Sequence, residues 1–184
     1  MDLPATKSAL IAALEAGRDE WDAALAQVGS AGLEQPGVEG TWSVKQIVAH
    51  VAGYEEWAAA FLADRLDPDS GAMAAFDTYW QQRLDAYRRD QTDFPARMSD
   101  TDDDQTNELV VAVYDELGAA AVLERERQAY EQLLAAIRRT PEAQLVEPGQ
   151  VGSKSIAAIL PNQSYQHYQT HLPAIRRWLE QRHA

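Results

Sequence analysis

The stretch Gly40-Thr-Trp-Ser-Val-Lys-Gln-Ile-Val-Ala-His50-Val-Ala-Gly-Tyr54-Glu-Glu-Trp57-Ala-Ala-Ala-Phe61 repeats apolar residues with a helical period. Val44, Ile47, Val51, Tyr54, Ala58 and Phe61 fall three or four residues apart. They therefore share one helical stripe, and the two-residue alternation of a strand is missing. Thr41 or Ser43 supplies an N-cap hydroxyl, and the helix is predicted from near Trp42 to about Arg65. His50 lies in line with Ile47, Tyr54, Trp57 and Phe61, at the margin of that stripe.

The same period recurs on both sides. Leu10, Leu14, Gly17, Trp21 and Leu25 mark a first helix over roughly residues 5–28, ended by the glycine- and proline-bearing loop 29–40. After a break at 66–71, Met73, Phe76, Trp80, Leu84 and Tyr87 mark a helix over roughly 72–90. Residues 93–104 are acidic, hold Pro95 and show no period, so they read as an inserted, exposed connection. A short helix is expected over 109–114 and a longer one over 119–139. Thr140-Pro-Glu142 has the cap-then-proline order of a helical turn start, and 149–155 reads as a loop with a helix N-cap. The last helical stretch runs from about 155 to 182, bent or restarted at Pro161 and Pro173. The expectation is one all-α domain over 1–184, with no internal repeat and no coiled-coil heptads.

Composition narrows the function. Cysteine is absent, which excludes disulfides, thiolate metal sites and a protein-borne thiol nucleophile. A net charge of −13 without a basic patch argues against nucleic acid as partner. The start MDLPATKSAL lacks the basic residues and apolar run of a signal peptide, and no stretch is apolar for a membrane-spanning length. A cytoplasmic protein with no membrane partner is the resulting expectation. Gly152-Ser-Lys-Ser155 lacks the frame of a phosphate loop, and the acidic run at 100–104 lacks that of a calcium-binding hand.

Of the four histidines, His167 and His171 are spaced i, i+4 and share a helix face beside Ile175 and Trp178. With His50 from the second helix they form a candidate three-nitrogen metal site that leaves coordination positions open. A surface histidine pair and a hydrogen-bonded boundary histidine are the alternatives. A zinc-protease reading fails, because Tyr168 stands where the H-E-x-x-H motif needs glutamate. His183, at the penultimate position, is given no role. Tyr54, one turn beyond His50, is the candidate substrate contact, whereas most other aromatics read as core. Tyr54, Asn162, Gln163 or the backbone are expected to fix the second imidazole nitrogens, and Glu55 and Glu56 to face solvent.

Two segments carry a resemblance. Gly40-Thr-Trp-Ser through His50 resembles the start of helix two in the DinB/YfiT-like superfamily, where a Trp-Ser opening precedes a metal-binding histidine. Asn162-Gln-Ser-Tyr-Gln-His167-Tyr-Gln-Thr-His171-Leu is similar to that superfamily's last helix, which bears the other two histidines. Leu3-Pro-Ala-Thr-Lys-Ser-Ala-Leu10, the segment from Asn107 to Tyr114-Asp115, and Ala129-Tyr-Glu-Gln-Leu-Leu-Ala-Ala-Ile137 resemble the ClbS/DfsB branch in particular. The resemblance implies a commonly dimeric four-helix bundle that holds zinc, nickel or iron at His50, His167 and His171. It does not imply one reaction, since the superfamily includes thiol-dependent transferases and isomerases. The chemistry of an open three-histidine site points to metal-activated water or an external low-molecular-weight thiol attacking a small electrophilic molecule, as a hydrolase or a thiol transferase. Non-catalytic sequestration of a small molecule or toxin, as in self-resistance, is the alternative.

Overall fold

The chain is all-helical in its computed structural model, which describes residues 4–183. The Leu3 end of the N-terminal resemblance and the side chain of His183 lie outside the described residues. Eight α-helices follow in order among those residues: α1 Lys7–Val28, α2 Val44–Leu66, α3 Ala72–Tyr87, α4 Asp103–Asp115, α5 Ala119–Arg139, α6 Glu142–Val146, α7 Ile156–Ile159 and α8 Tyr165–His183. The long helices α1, α2, α5 and α8 form the bundle. In it α2 packs on α5 and α1 on α8, while α3 and α4 lie against α2. Among the described residues no helix is long and apolar enough to cross a membrane.

Local chemistry sets the boundaries. Thr6 Oγ1 accepts from the Ala9 amide at the start of α1. Ser43, and not Thr41, caps α2: its hydroxyl accepts from the Gln46 amide while Gln46 Oε1 accepts from the Ser43 amide. Before that cap, Glu39 and Trp42 bridge a turn at Gly40, whose φ of 60° suits a residue without Cβ. The same kind of turn, Val151 to Lys154 around Gly152, precedes α7.

Residues 93–104 are more ordered than their composition suggested. Met98–Asp100 form a 3-10 turn, and α4 begins at Asp103, well before the expected 109. The Asp102 side chain accepts from the Gln105 amide, and Gln105 Oε1 accepts from the Asp102 amide, so the acidic run is a helix start. The expected last helix is in fact three pieces. Pro161 sits in a 3-10 turn over Leu160–Gln163, Ser164 breaks the helical dihedrals, and α8 then runs through Pro173. Thr140 closes α5 by donating to the Ala136 carbonyl, and Pro141 takes the cap position of α6.

Two features lock the bundle. At Gly17, a Cβ would come within 2.5 Å of Tyr165 Cβ, so glycine permits the close approach of α1 and α8. Next to it lies a buried polar cluster drawn from all four long helices. Arg18 Nη1 donates to Glu126 Oε1 at 2.6 Å, Trp21 Nε1 donates to the same oxygen at 3.0 Å, and the Tyr168 hydroxyl donates to Glu55. The Trp21 and Tyr168 rings stack at 5.2 Å.

The expectation that Glu55 and Glu56 face solvent is thus corrected. Glu55 is fully buried, and Glu56 is half-buried in a two-point pair with Arg125. Both lie on α2 outside the apolar stripe, but α5 and α8 cover that side of the helix as well. Burial, reinforced by Glu126, pushes the Glu55 carboxyl well above its usual range and favours its protonated form. For Arg18, burial opposes the charge but Glu126 and Asp22 outweigh it, so the guanidinium stays charged.

Gly17→Ala should destabilise the fold by about 1–3 kcal/mol in urea melts, because the added methyl forces α8 outward. Removing Arg18 with Arg18→Ala should cost about 3–5 kcal/mol, since it strands Glu126. A carboxyl whose folded pKa is raised gives stability that is present below its ordinary value and drains away as pH rises. Glu55→Gln cannot ionise. Its stability relative to the parent should therefore rise as pH goes from about 4.5 toward 8, and a difference constant across that range would contradict the protonated state.

Candidate metal centre

His50 comes from α2, and His167 and His171 come from successive turns of α8. One ring nitrogen from each lies within 4.8 Å of the others. His50 Nε2 and His167 Nε2 are 2.7 Å apart, and the ring centroids of all three pairs fall between 4.5 and 5.1 Å. All three sequence-predicted ligands are therefore brought together, although His50 is separated from the other two by more than half the chain. His50 and His171 are buried and His167 is half-buried.

The pocket keeps two of these rings neutral. Burial, followed by the neighbouring His167 and His171, lowers the His50 pKa to about 3. Burial and His171 lower that of His167 to about 4. Neutral imidazole is the form that ligates metal.

The donor set fits a divalent cation. Nε2 of His171 is buried without a hydrogen-bond partner among the described residues, and Nε2 of His50 and Nε2 of His167 meet only each other. Two nitrogens at about 2.0–2.1 Å from a tetrahedral ion stand about 3.3 Å apart, so the His50–His167 approach opens by a few tenths of an ångström with a small ring rotation. No thiolate is present, and three imidazole nitrogens suit zinc, nickel or iron(II).

Sequence reasoning missed Glu39. His171 Nδ1 donates to Glu39 Oε2 at 2.6 Å, which directs the other nitrogen of His171 toward the cluster. The turn around Gly40 presents this carboxylate, and only the turn residues before the Ser43 cap hinted at it. The partners expected for the second nitrogens, Tyr54, Asn162 and Gln163, do not take that role. Tyr54 instead donates to Asn107 Oδ1 at 3.2 Å and sets its ring 5.0 Å from His50 and 4.6 Å from His167. It also lines a cleft of about 830 Å³ between α2, α3 and α4, with Trp57, Trp80 and Gln163 among the other lining residues. Tyr165, Tyr168 and Trp178 are core, as is the body of Trp80.

The sequence profile of the mycothiol maleylpyruvate isomerase N-terminal domain matches residues 14–162. The chain belongs to that family. It therefore falls within the DinB/YfiT-like superfamily that the two histidine segments resemble.

None of the curated proteins matches the chain. Among solved structures, an uncharacterised protein from Escherichia coli UTI89 superposes with a TM-score of 0.70 at 13% identity, covering 98% of this chain and 96% of that one. A protein from Streptococcus pneumoniae gives 0.69 at 12% identity, covering 98% and 93%. The colibactin self-resistance protein ClbS, in complex with double-stranded DNA, gives 0.66 at 14% identity, covering 96% of each chain. At such identities the likeness shows the helical fold alone.

Metal titrated into the chelator-treated protein should bind one ion per chain. His50→Ala, His167→Ala and His171→Ala should each abolish binding while leaving the helical spectrum intact. Glu39→Gln should weaken binding by about 10–100-fold, the usual effect of losing the group that orients a ligand. Calorimetry checks all four.

Proposed function

We propose that the chain is a metal-dependent enzyme acting on a small electrophilic molecule, either transferring a low-molecular-weight thiol or hydrolysing the molecule. The observation that carries this reading is the convergence of three imidazoles, at least two of them held neutral, beside a cleft large enough for a ligand. When bound there, a divalent cation supplies Lewis acidity and lowers the pKa of a coordinated nucleophile.

The chain's own residues do the rest. His50, His167 and His171 hold the cation without cancelling its charge, and Glu39 fixes the orientation of His171. Tyr54 contacts the substrate. Burial, with Asp103 adding, raises its pKa, so the phenol stays a hydrogen-bond donor at neutral pH. Glu55 and Glu56 are committed to the Tyr168 and Arg125 contacts, so neither serves as an acid or base at the three rings. The thiol of a transferase must come from outside because the chain has no cysteine. Mycothiol, named in the family's description, is the first candidate.

A cytoplasmic homodimer without a nucleic-acid partner completes the reading. The ClbS structure contains DNA, but the −13 charge of this chain opposes a polyanion. Sequestration without turnover, as a self-resistance protein of the ClbS kind, is the second reading, and the likeness of the fold to that of ClbS supports it.

Activated electrophiles offered to metal-loaded and chelated protein, with mycothiol, bacillithiol, glutathione or no thiol, separate the readings. Metal-dependent turnover that requires a thiol identifies a transferase, and turnover without thiol a hydrolase. His171→Ala should reduce either to background, and Tyr54→Phe should lower it by about 10-fold or more. Stoichiometric binding that is insensitive to chelation, with no product in any arm, would replace catalysis by sequestration.

A further inference from the structure

The cleft that Tyr54 lines has walls of one character and a rim of another. Its walls are aromatic: Trp57 from α2, and Phe76 and Trp80 from α3, join Tyr54. Trp80 is 2% exposed, and its Nε1 is a buried donor with no partner among the described residues. The charged lining residues are Asp77, Asp103 and Arg97, all three exposed. The lining therefore carries two carboxylates against one guanidinium, on a chain whose net charge is −13.

These observations select a chemistry. A flat ring gains burial and stacking on indole and phenyl walls, and a cation gains further from the ring faces. An anion would exchange water for a rim that is negative on balance and would meet an overall repulsive field. Maleylpyruvate, the acid in the family's description, is a dicarboxylate and does not match this lining.

We propose that the cleft binds an aromatic molecule without acidic groups, neutral or cationic. The proposal rests on the reading of Tyr54 as a substrate contact and names the substrate class for that site.

The test uses chelated, metal-free full-length protein, so failure of the metal reading leaves its outcome untouched. Naphthylmethanol, naphthylmethylammonium and naphthalene dicarboxylate share one ring system and differ in charge. In titration calorimetry the alcohol and the ammonium should bind at a single site, each at least about tenfold more tightly than the dicarboxylate. Trp57→Ala, with its helical spectrum retained, should weaken both by about tenfold. Asp77→Asn combined with Asp103→Asn alters only exposed side chains and should narrow the gap between ammonium and dicarboxylate. Three results would overturn the proposal: dicarboxylate binding as tightly as the alcohol, no naphthalene binding, or a gap unmoved by the double aspartate variant.

Discussion

Arg18 and Trp21 of α1, Glu55 of α2, Glu126 of α5 and Tyr168 of α8 meet in one buried cluster, and the arrangement of the bundle depends on that meeting. Apolar stripes alone tolerate sliding and rotation, because one leucine packs nearly as well as another against a neighbouring helix. Buried charges do not. A shift of one turn would leave Glu126 without Arg18 and remove the only hydrogen bond that Glu55 makes among the described residues, and each unpaired group costs several times the contact it loses. Gly17 adds a steric condition from the same region, since it admits Tyr165 where any side chain would collide.

The histidine site inherits this register. His167 is the neighbour of Tyr168, and His50 lies on the same helix as Glu55, so the contact that joins α2 to α8 in the core also sets the helices from which the rings converge. One face of α8 is held by the polar cluster while the adjoining face presents imidazoles. The site's low basicity follows from position. Rings pressed together and away from water resist protonation, which leaves their nitrogen lone pairs free to ligate a metal cation. The carboxylate of Glu39 reaches His171 from a turn outside the bundle.

The insertion between α3 and α4 has a comparable double use. Its acidic residues cap and begin α4, and that helix, together with α3, builds the outer wall of the cleft. Gly53 on α2 allows Val110 of α4 to approach closely, with a Cβ there meeting Val110 at 3.2 Å. The bundle thus supplies the histidines, and the added helices supply the space beside them.

From the sequence alone, the helical period, the bundle class, the span of α5 and the three histidines were legible, because each is local. A 3.6-residue period, an i, i+4 pair and a Trp-Ser opening can be read within a few residues of chain. The capping box at Asp102–Gln105 was equally local and was overlooked behind the density of acidic residues, so α4 was expected too late. Only the tertiary structure decided the rest. Glu55 and Glu56 look solvated on a one-helix wheel, and their burial comes from helices more than 60 residues further along the chain. Glu39 is 132 residues from His171 and nothing near either residue pairs them. Periodicity determines which face of a helix is apolar. Which polar group meets which is settled when four helices close around one another, since burial and partner are then chosen together.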